Sequence, residues 1–445
     1  MRKSVGFSGV LAVFVLAMLS YSSVMAEFSH DVKEHTLDNG LTVLLLENHA
    51  APVISYYTFF KVGSRNERPG ITGISHFFEH MMFNGAKKYG PQMFDLQLET
   101  NGGYSNAYTS NDLTVYYEDF TSDILELVID MEADRMENLA FEPEMLESEI
   151  GVVKEERRVG VDNDNTGILW EELYATAFMA HSYSWPVLGW MDDLNSITRE
   201  DCLNYHRTYY APNNAVVVIV GDFKSEEAID LMERYFAHIK AGPPPTPVVK
   251  NEPAQRGPRR SVVKRAAQHE HFMRGYHVGD KDSHDLYAME VLQFILTTGE
   301  SSRLHQTLVN DLELSLGLYG GFSWGFDPSL FYLYSAVSPG KGHAAVESAI
   351  DSVLQSLAVT GPTDNELERA KNGLTAGFYR NYKTNNGVGH QIGYYQTLYG
   401  DWRSMYSFVD NVKAVTTEDV RQVVQKYFSP DMATTVVLIP EGGES

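Results

Sequence analysis

Residues 75–83 read Ser-His-Phe-Phe-Glu-His-Met-Met-Phe and set two histidines and a glutamate inside an apolar, aromatic run. Burying polar groups costs free energy unless each has a partner. On a helix of about 100° per residue, His80 lies about 40° from His76 and Glu79 about 60° to its other side, so the three share one face. Two imidazoles one turn apart converge above the helix, which suits a metal ion whose bound water Glu79 would reach. The alternative is a pair of core histidines satisfied by hydrogen bonds, and the glutamate on the same face favours the metal.

A third metal ligand has to come from elsewhere, and the acidic segment 144–158 supplies the candidates. Drawn as a helix, the segment has an apolar stripe and a solvent face. The stripe consists of Met145, Leu146, Ile150, Val152 and Val153, and the solvent face of Glu144, Glu147, Lys154, Glu155 and Arg158. Glu149 and Glu156 fall inside the stripe, about 20° apart, where carboxylates need partners. One of these two is predicted to bind the metal, and the periodicity does not choose between them.

Composition narrows the class of function. Of 445 residues, 35 are Lys or Arg and 59 are Asp or Glu, and the net charge of −24 argues against binding to nucleic-acid phosphates. Cys202 is the only cysteine, so an intramolecular disulfide and cysteine metal ligands are excluded. A metal must therefore be held by His, Asp and Glu.

The N-terminus has the pattern of an export signal. Basic residues at positions 2 and 3 precede an apolar stretch at 9–19, and small or apolar residues precede Glu27, so cleavage after Ala26 is expected. The apolar stretch is too short for a membrane span, and no later run of about 18 apolar residues follows. We expect a soluble mature chain in a bacterial periplasm.

The sequence contains an internal duplication. Residues 197–220 and 415–438 share Thr-x-Glu-Asp, a helical stretch, an aromatic pair, a proline and a β-branched strand, at an offset of 218 without a gap. Between the copies, residues 241–260 hold six prolines and are predicted to form a stiff, extended linker. The predicted organisation is a signal peptide at 1–26, an N-terminal metal-binding domain at 27–240, the linker at 241–260 and a C-terminal homologous domain at 261–445.

Each copy mixes strands and helices. Asn39-Gly40 is a hairpin signal, 51–62 and 112–120 read as strands, and 121–139 and 144–158 read as helices. This order predicts an α+β fold of two homologous domains of about 200 residues, each a mostly antiparallel sheet packed with helices.

The second copy lacks the histidine motif. At the offset of 218, His76, Glu79 and His80 correspond to Phe294, Thr297 and Thr298, and no His-x-x-x-His lies in a nearby register. A purely structural motif would be expected in both copies, so its presence in one indicates chemistry. One metal ion per chain is expected.

The sequence resembles the pitrilysin-like zinc peptidases, a family that includes insulin-degrading enzyme and the mitochondrial processing peptidase. The resemblance covers nearly the whole mature chain and is carried by GISHFFEHMMFNGAKKY, NGGYSNAYTSNDLTVYY, EIGVVKEERRVGVDN and YYAPNNAVVVIVGDF. His-x-x-Glu-His is the inverted zinc motif of the inverzincins. The resemblance implies a zinc endopeptidase with one Zn²⁺ held by His76, His80 and a glutamate eight positions into a segment beginning Glu-x-x-Val-Val, which here is Glu156.

Further roles are implied by the same resemblance. Glu79 would act as the general base, and Glu149 would support catalysis by holding a ligating histidine in its tautomer. Asn106 and Ala107 would lie at a sheet edge to which a peptide substrate adds as a strand. The alternative for Asn106 is a turn residue, and Glu155 is interpreted as a solvated charge.

The chain departs from the family in its second half. Family chains carry an arginine and, thirteen positions on, a tyrosine that grip the substrate, whereas here Arg303 is followed at that distance by Leu316. Tyr319 fits only if three residues loop out. The resemblance therefore implies a dimer, either with a related subunit that carries the grip or with a second copy of this chain.

Two other functions compete with the endopeptidase. Some relatives are non-catalytic scaffolding or processing-complex subunits, but those generally lose motif residues that are intact here. A hydrolase of small amides would use the same zinc ligands. The two-lobed duplication favours a chamber for short or unfolded peptides.

Overall fold

The protein folds around two β-sheets, one in each half of the sequence. The computed structural model describes residues 30–248 and 251–441, and the signal peptide predicted for 1–26 lies outside the described residues. The strands of the first half are β1 (Lys33–Thr36), β2 (Thr42–Glu47), β3 (Val53–Phe60), β4 (Tyr104–Thr109), β5 (Thr114–Thr121) and β6 (Ala215–Gly221). Its helices are α1 (Ile74–Met81), α2 (Met93–Thr100), α3 (Leu125–Asn138), α4 (Pro143–Arg157), α5 (Asn165–Ala177), α6 (Met191–Ser196), α7 (Arg199–Tyr209) and α8 (Ser225–Phe236).

The second half repeats this plan. Its strands are β7 (Arg259–Arg265), β8 (His271–His277), β9 (Ser315–Gly321), β10 (Leu330–Val337) and β11 (Ala433–Pro440). Its helices are α9 (Leu286–Thr297), α10 (Arg303–His305), α11 (His343–Thr360), α12 (Asp364–Asn381), α13 (Asn385–Tyr399), α14 (Ser407–Ala414) and α15 (Thr417–Tyr427). Among the described residues, no helix is both long and apolar enough to cross a membrane.

The two sheets have the same strand order. The first runs β1-β2-β6-β3-β5-β4, and the second, β7-β11-β8-β10-β9, matches it strand for strand after β1. All pairs are antiparallel except β2 with β6 and β7 with β11. The predicted α+β fold of two homologous, mostly antiparallel domains is therefore confirmed. The predicted residue ranges of the domains stay a prediction.

The matched repeat segments fold alike. Thr198 before α7 and Thr416 before α15 each accept a hydrogen bond from the backbone N–H of an aspartate three residues on, and that aspartate bonds back to the threonine N–H. This capping box satisfies two backbone donors of each helix N-terminus. The shared Thr-x-Glu-Asp pattern thus has a structural cause in both copies.

One helix from each half packs on the sheet of the other half. Leu169 and Leu173 of α5 lie in one apolar cluster with Met273 and Val436 of the second sheet. In the reciprocal contact, α13 packs on β3 and β6 of the first sheet. Gly393 of α13 permits this approach, because a Cβ there would lie 2.0 Å from the Phe59 ring. The two sheets are therefore joined by exchanged helices as well as by the chain between them.

The proline-rich segment contains no helix or strand at 241–248 and 251–258. Glu252 accepts hydrogen bonds from the backbone N–H groups of Met179, Ala180 and His181, and the Gln255 amide donates to the carbonyl of Ala433. These bonds hold the segment against both halves.

Candidate metal centre and peptide-binding edge

The N-terminus of α1 is held by two carboxylates. Glu67, which is buried, accepts hydrogen bonds of 2.8 Å from the backbone N–H groups of Gly73 and Ser75. Asp193 accepts from the backbone and hydroxyl of Thr72 at 3.2 and 2.6 Å. Gly73 has a φ of 88°, and a Cβ there would lie 2.6 Å from a backbone oxygen, so only glycine fits. The direction of the helix is thereby set.

The apolar side of α1 anchors the helix in the first-half core. Its buried apolar residues are Ile74, Phe77, Phe78 and Met81. The Tyr116 hydroxyl, below the helix, donates to the carbonyl of Phe78 at 3.0 Å. The opposite side carries His76, Glu79 and His80, all partly exposed, so the three residues share one face as their spacing predicts.

Three nitrogen and oxygen donors meet above this face. Glu156 Oε2, from α4, lies 3.7 Å from His76 Nε2 and 3.2 Å from His80 Nε2. The donor atoms of these three residues all lie within 4.8 Å of one another. Among the described residues, this is the one group of at least three His, Cys, Asp or Glu side chains with that spacing.

These separations fit a zinc ion. Two ligands at about 2.0–2.1 Å from a tetrahedral zinc are about 3.3 Å apart, close to the two distances at Glu156. Burial lowers the pKa of His76 to about 4, so its ring is neutral at pH 7, as a ligand must be. Burial also lowers the pKa of His80, but the carboxylates of Glu149, Glu156 and Glu79 outweigh it and raise that pKa, so a metal there competes with a proton.

Glu149 supports the second histidine from behind. Its Oε1 lies 2.8 Å from His80 Nδ1, and its Oε2 accepts from the Asn84 amide at 2.5 Å. With the proton on Nδ1, the ring donates to Glu149 and turns Nε2 toward Glu156. Such partners fix the tautomer and orientation of ligating histidines.

The prediction that Glu149 and Glu156 both lie in a buried stripe of α4 is wrong for Glu156. The Glu156 side chain is 44% exposed and that of Glu149 is 15% exposed. Val152, also assigned to the stripe, is exposed. The buried polar residue on α4 is instead Arg157, which pairs with Glu171 at 2.7 Å. The helix buries only a narrow side, so Glu156 faces the open metal site, while Glu155 is exposed as expected.

Glu79 is held by the last residue of β4. The Thr109 hydroxyl donates a hydrogen bond of 2.6 Å to Glu79 Oε2 and does not bind Oε1. Burial raises the pKa of Glu79, and the Thr109 hydrogen bond opposes this shift. A carboxylate with a raised pKa is suited to accept a proton near neutral pH.

Strand β4 is an edge of the first sheet. Ser110 N–H donates to Leu113 C=O and closes the β4–β5 hairpin, so Ala107, opposite Tyr116, is in a pair that does not share hydrogen bonds. The Ala107 N–H and C=O therefore point to the open edge. Asn106 is exposed, and its Oδ1 accepts from this Ala107 N–H at 2.8 Å. Asn106 thus caps the edge rather than occupying a turn.

The two residues of the expected substrate grip have partners within the second half. Arg303 donates to both carboxylate oxygens of Glu366, at 2.6 and 2.8 Å. Tyr319, on the edge strand β9, stacks on Tyr334 with ring centroids 4.5 Å apart. Arg303 would have to release Glu366 to bind a peptide, and the substrate role of both residues stays a prediction.

Sequence reasoning did not identify Glu67, Asn84, Thr109 or Asp193. Glu67 lies six residues before the first residue it caps, outside the usual capping spacing, and Thr109 reaches Glu79 only through the sheet. Local spacing carries no signal for such contacts, because they are formed by tertiary packing.

Comparison with known proteins gives consistent matches. Residues 42–189 match the model described as insulinase (peptidase family M16), and residues 196–374 match the one described as peptidase M16 inactive domain. The chain is 31% identical to the zinc protease PqqE of Helicobacter pylori over 99% of both chains. It is 26% identical to a probable mitochondrial-processing peptidase subunit beta of Arabidopsis thaliana, over 94% of this chain and 82% of that one. A crystal structure of a protease from Helicobacter pylori superposes with a TM-score of 0.89 at 30% identity and covers 93% of this chain and all of that one.

Proposed function

The chain belongs to the insulinase family of peptidases, family M16, and from this membership we propose that it is a zinc-dependent endopeptidase acting on short or unfolded peptides. The observation that carries the proposal is the convergence of His76, His80 and Glu156 donors beside the carboxylate of Glu79. The second-half match is called an inactive domain, which agrees with a motif in the first half alone.

The division of labour follows from the positions of the side chains. Zinc held by His76, His80 and Glu156, one ion per chain, would polarise the scissile carbonyl and acidify a water. Glu79 takes a proton from the attacking water on Oε1 and passes it to the leaving amine, while the Thr109 hydroxyl donates to its other oxygen. Glu149 acts through His80, whose ring it orients.

The substrate binds as an added strand at β4. Its backbone pairs with the Ala107 N–H and C=O, after the Asn106 side chain releases that N–H. Strand addition requires an extended backbone free of its own hydrogen bonds. The substrates are therefore short peptides or unfolded segments, and a folded protein resists cleavage.

We also propose that the chain is exported to the periplasm and works as a dimer. Export rests on the N-terminal signal pattern. Dimerisation rests on Arg303, which Glu366 occupies here, and on the likeness to a protein named as a subunit. Peptidase activity that rises with protein concentration, or on adding a related subunit, supports the dimer, and full activity from a monomer contradicts it.

The experiment is hydrolysis of a quenched fluorescent peptide by purified protein. Activity should fall to background with a chelator and return on adding zinc, and His76→Ala should lack both zinc and activity. A wild-type protein that holds zinc, alone and with its partner, yet cleaves no peptide would favour the non-catalytic subunit instead.

A further inference from the structure

Arg157 directly follows the proposed metal ligand Glu156, and it is buried where Glu156 is open to solvent. The Arg157 side chain is 5% exposed, and that of Glu156 is 44% exposed. Neighbouring residues of a helix lie about 100° apart, so Glu156 points to the metal centre while Arg157 points into the protein. Within the described part of the chain, the polar partners of the Glu156 carboxylate are His76 and His80. The backbone of α4 therefore decides where this carboxylate lies.

The guanidinium of Arg157 contacts groups from three segments. Arg157 Nη1 donates to the carbonyl of Gly189 at 2.7 Å and lies 2.7 Å from Glu171 Oε2 on α5. Arg157 Nη2 lies 3.5 Å from Asp162 Oδ1. Asp162 is the last residue of a short π-helical segment, Arg158–Asp162, that continues α4. Because the contacts come from different segments, a rotation of α4 about its axis would break them.

The carbonyl that Arg157 binds belongs to a segment packed on the start of α1. Gly189 has a φ of 73°, and a Cβ there would lie 2.2 Å from the carbonyl oxygen of Thr72, so only glycine permits this approach. The Trp190 N–H donates to the Thr72 hydroxyl at 2.9 Å. The ligand His76 follows Thr72 by four residues. Arg157 thus connects α4 with the N-terminal end of the helix that carries both histidines.

A small rotation of α4 is enough to disturb the metal site. A side-chain oxygen at the surface of a helix lies about 5–6 Å from the axis, so a rotation of about 10° moves it about 1 Å. Zinc–ligand distances vary by only about 0.2 Å. Without the contacts of Arg157, the exposed Glu156 carboxylate would have to be brought back at the time of binding, and ordering it then reduces the affinity for the metal.

We propose that Arg157 is a positioning residue that holds α4 in register with α1 and so places the Glu156 carboxylate beside the two histidines. It acts through the backbone of α4 and not by contact with the metal. Glu171 adds a connection to the second half, because α5, which carries it, packs on the second sheet through its apolar face. The inference rests on the zinc site of the proposed function and adds a supporting residue to it.

The test removes the contacts of Arg157 without leaving a buried charge unpaired. In Arg157→Met combined with Glu171→Met, an apolar pair replaces the ion pair, and such replacements often leave stability unchanged. The midpoint of thermal unfolding, measured without zinc so that weaker binding does not lower it, should stay near that of the wild type. The dissociation constant for zinc should rise about 10–100-fold in competition with a chromophoric chelator. A folded double variant that binds zinc within twofold of the wild type would overturn the inference.

Two single variants complete the comparison. Arg158→Met changes the next arginine, which is exposed and paired with Glu155, and it should bind zinc as the wild type does. Arg157→Lys keeps a positive charge beside Glu171, so it should fold even if the double variant does not. The lysine ammonium reaches less far than the guanidinium, and the dissociation constant for zinc should rise about three- to tenfold. Unchanged zinc affinity in Arg157→Lys, or an equal loss in Arg158→Met, would contradict the role of Arg157.

Kinetics distinguish a positioning role from a contribution to stability alone. At saturating zinc, the double variant should lose about tenfold or more in kcat and keep its KM for a peptide within twofold, because the contacts of Arg157 do not involve β4. A raised KM at unchanged kcat would contradict the proposal. Zinc affinity is measured without a peptide. A wild type that binds zinc and cleaves nothing would therefore reject the proposed peptidase activity, while the zinc affinity of the double variant still decides the role of Arg157.

Discussion

Glu149→Ala tests whether metal binding depends on the hydrogen bond between Glu149 and the ligand His80. The substitution removes the contact of Glu149 Oε1 with His80 Nδ1 at 2.8 Å and that of Oε2 with the Asn84 amide at 2.5 Å. Without the carboxylate, the His80 ring loses the group that fixes its tautomer and orientation. Partners of this kind are worth about 10–100-fold in metal affinity, or about 1.4–2.8 kcal/mol.

The assay is zinc competition with a chromophoric chelator at pH 7.5. We expect the dissociation constant for zinc to rise about 10–100-fold in Glu149→Ala. Glu149→Gln should lose less, because the Gln carbonyl still accepts from Nδ1–H although the charge is gone. Glu147→Ala, at an exposed position of the same helix, is the matched control. A Glu149→Ala protein that binds zinc within twofold of the wild type, with an unchanged fold by circular dichroism, would refute this account of Glu149.

Two further predictions concern stability. Burial raises the pKa of Glu366, but hydrogen bonds from Arg303 and Thr363 outweigh burial and lower that pKa to about 2. The ion pair of Arg303 and Glu366 therefore stabilises the folded state fully above the usual pKa of 4.5, and this stabilisation is lost as the pH falls from 4.5 toward 2. Arg303→Ala should lower the free energy of unfolding by about 1–3 kcal/mol at pH 7, and the free energy of unfolding should depend less on pH between 4.5 and 2. A raised KM at unchanged stability would instead indicate that Arg303 binds the substrate. Arg135 is buried beside Glu118 and Glu132, so Arg135→Met should destabilise the protein by about 3–5 kcal/mol in urea unfolding at pH 7. The loss of stability should become smaller as the pH falls toward 4.5, because burial and Glu132 raise the pKa of Glu118 and its carboxyl takes up a proton. A loss below about 1 kcal/mol at pH 7 would contradict the prediction, since the buried carboxylates would then not need Arg135.

The duplication, the hairpin and the shared face of α1 could be predicted because each depends on a local pattern. The capping threonines repeat at a fixed offset, and His76, Glu79 and His80 need only helical geometry to meet. The environment of α4 could not be predicted in the same way. The periodicity predicted that the whole apolar side of α4 is buried. In the structure only Val153 and Arg157 of α4 are buried, and Glu156 lies at the open site.

The exchange of α5 and α13 between the halves is also invisible in the sequence. Both helices carry apolar residues that would suit either sheet, and the choice depends on how the two domains dock. Because α5 packs on the second sheet, Trp170 lies against Tyr332 of β10, with ring centroids 4.3 Å apart. The linker pattern did not indicate this junction.

The most direct test of the proposed chemistry is a parallel measurement of zinc content and peptide hydrolysis in the wild type, Glu79→Gln and Glu155→Gln. The wild type and both variants should hold one zinc per chain, because Glu79 and Glu155 are not among the three converging donors. Glu79→Gln should lose about 10²–10⁴-fold in kcat, and Glu155→Gln, which alters a solvent-exposed charge, should match the wild type. Near-normal turnover by Glu79→Gln with zinc in place would contradict the assignment of Glu79 as the base, and loss of zinc from Glu155→Gln would contradict the ligand set.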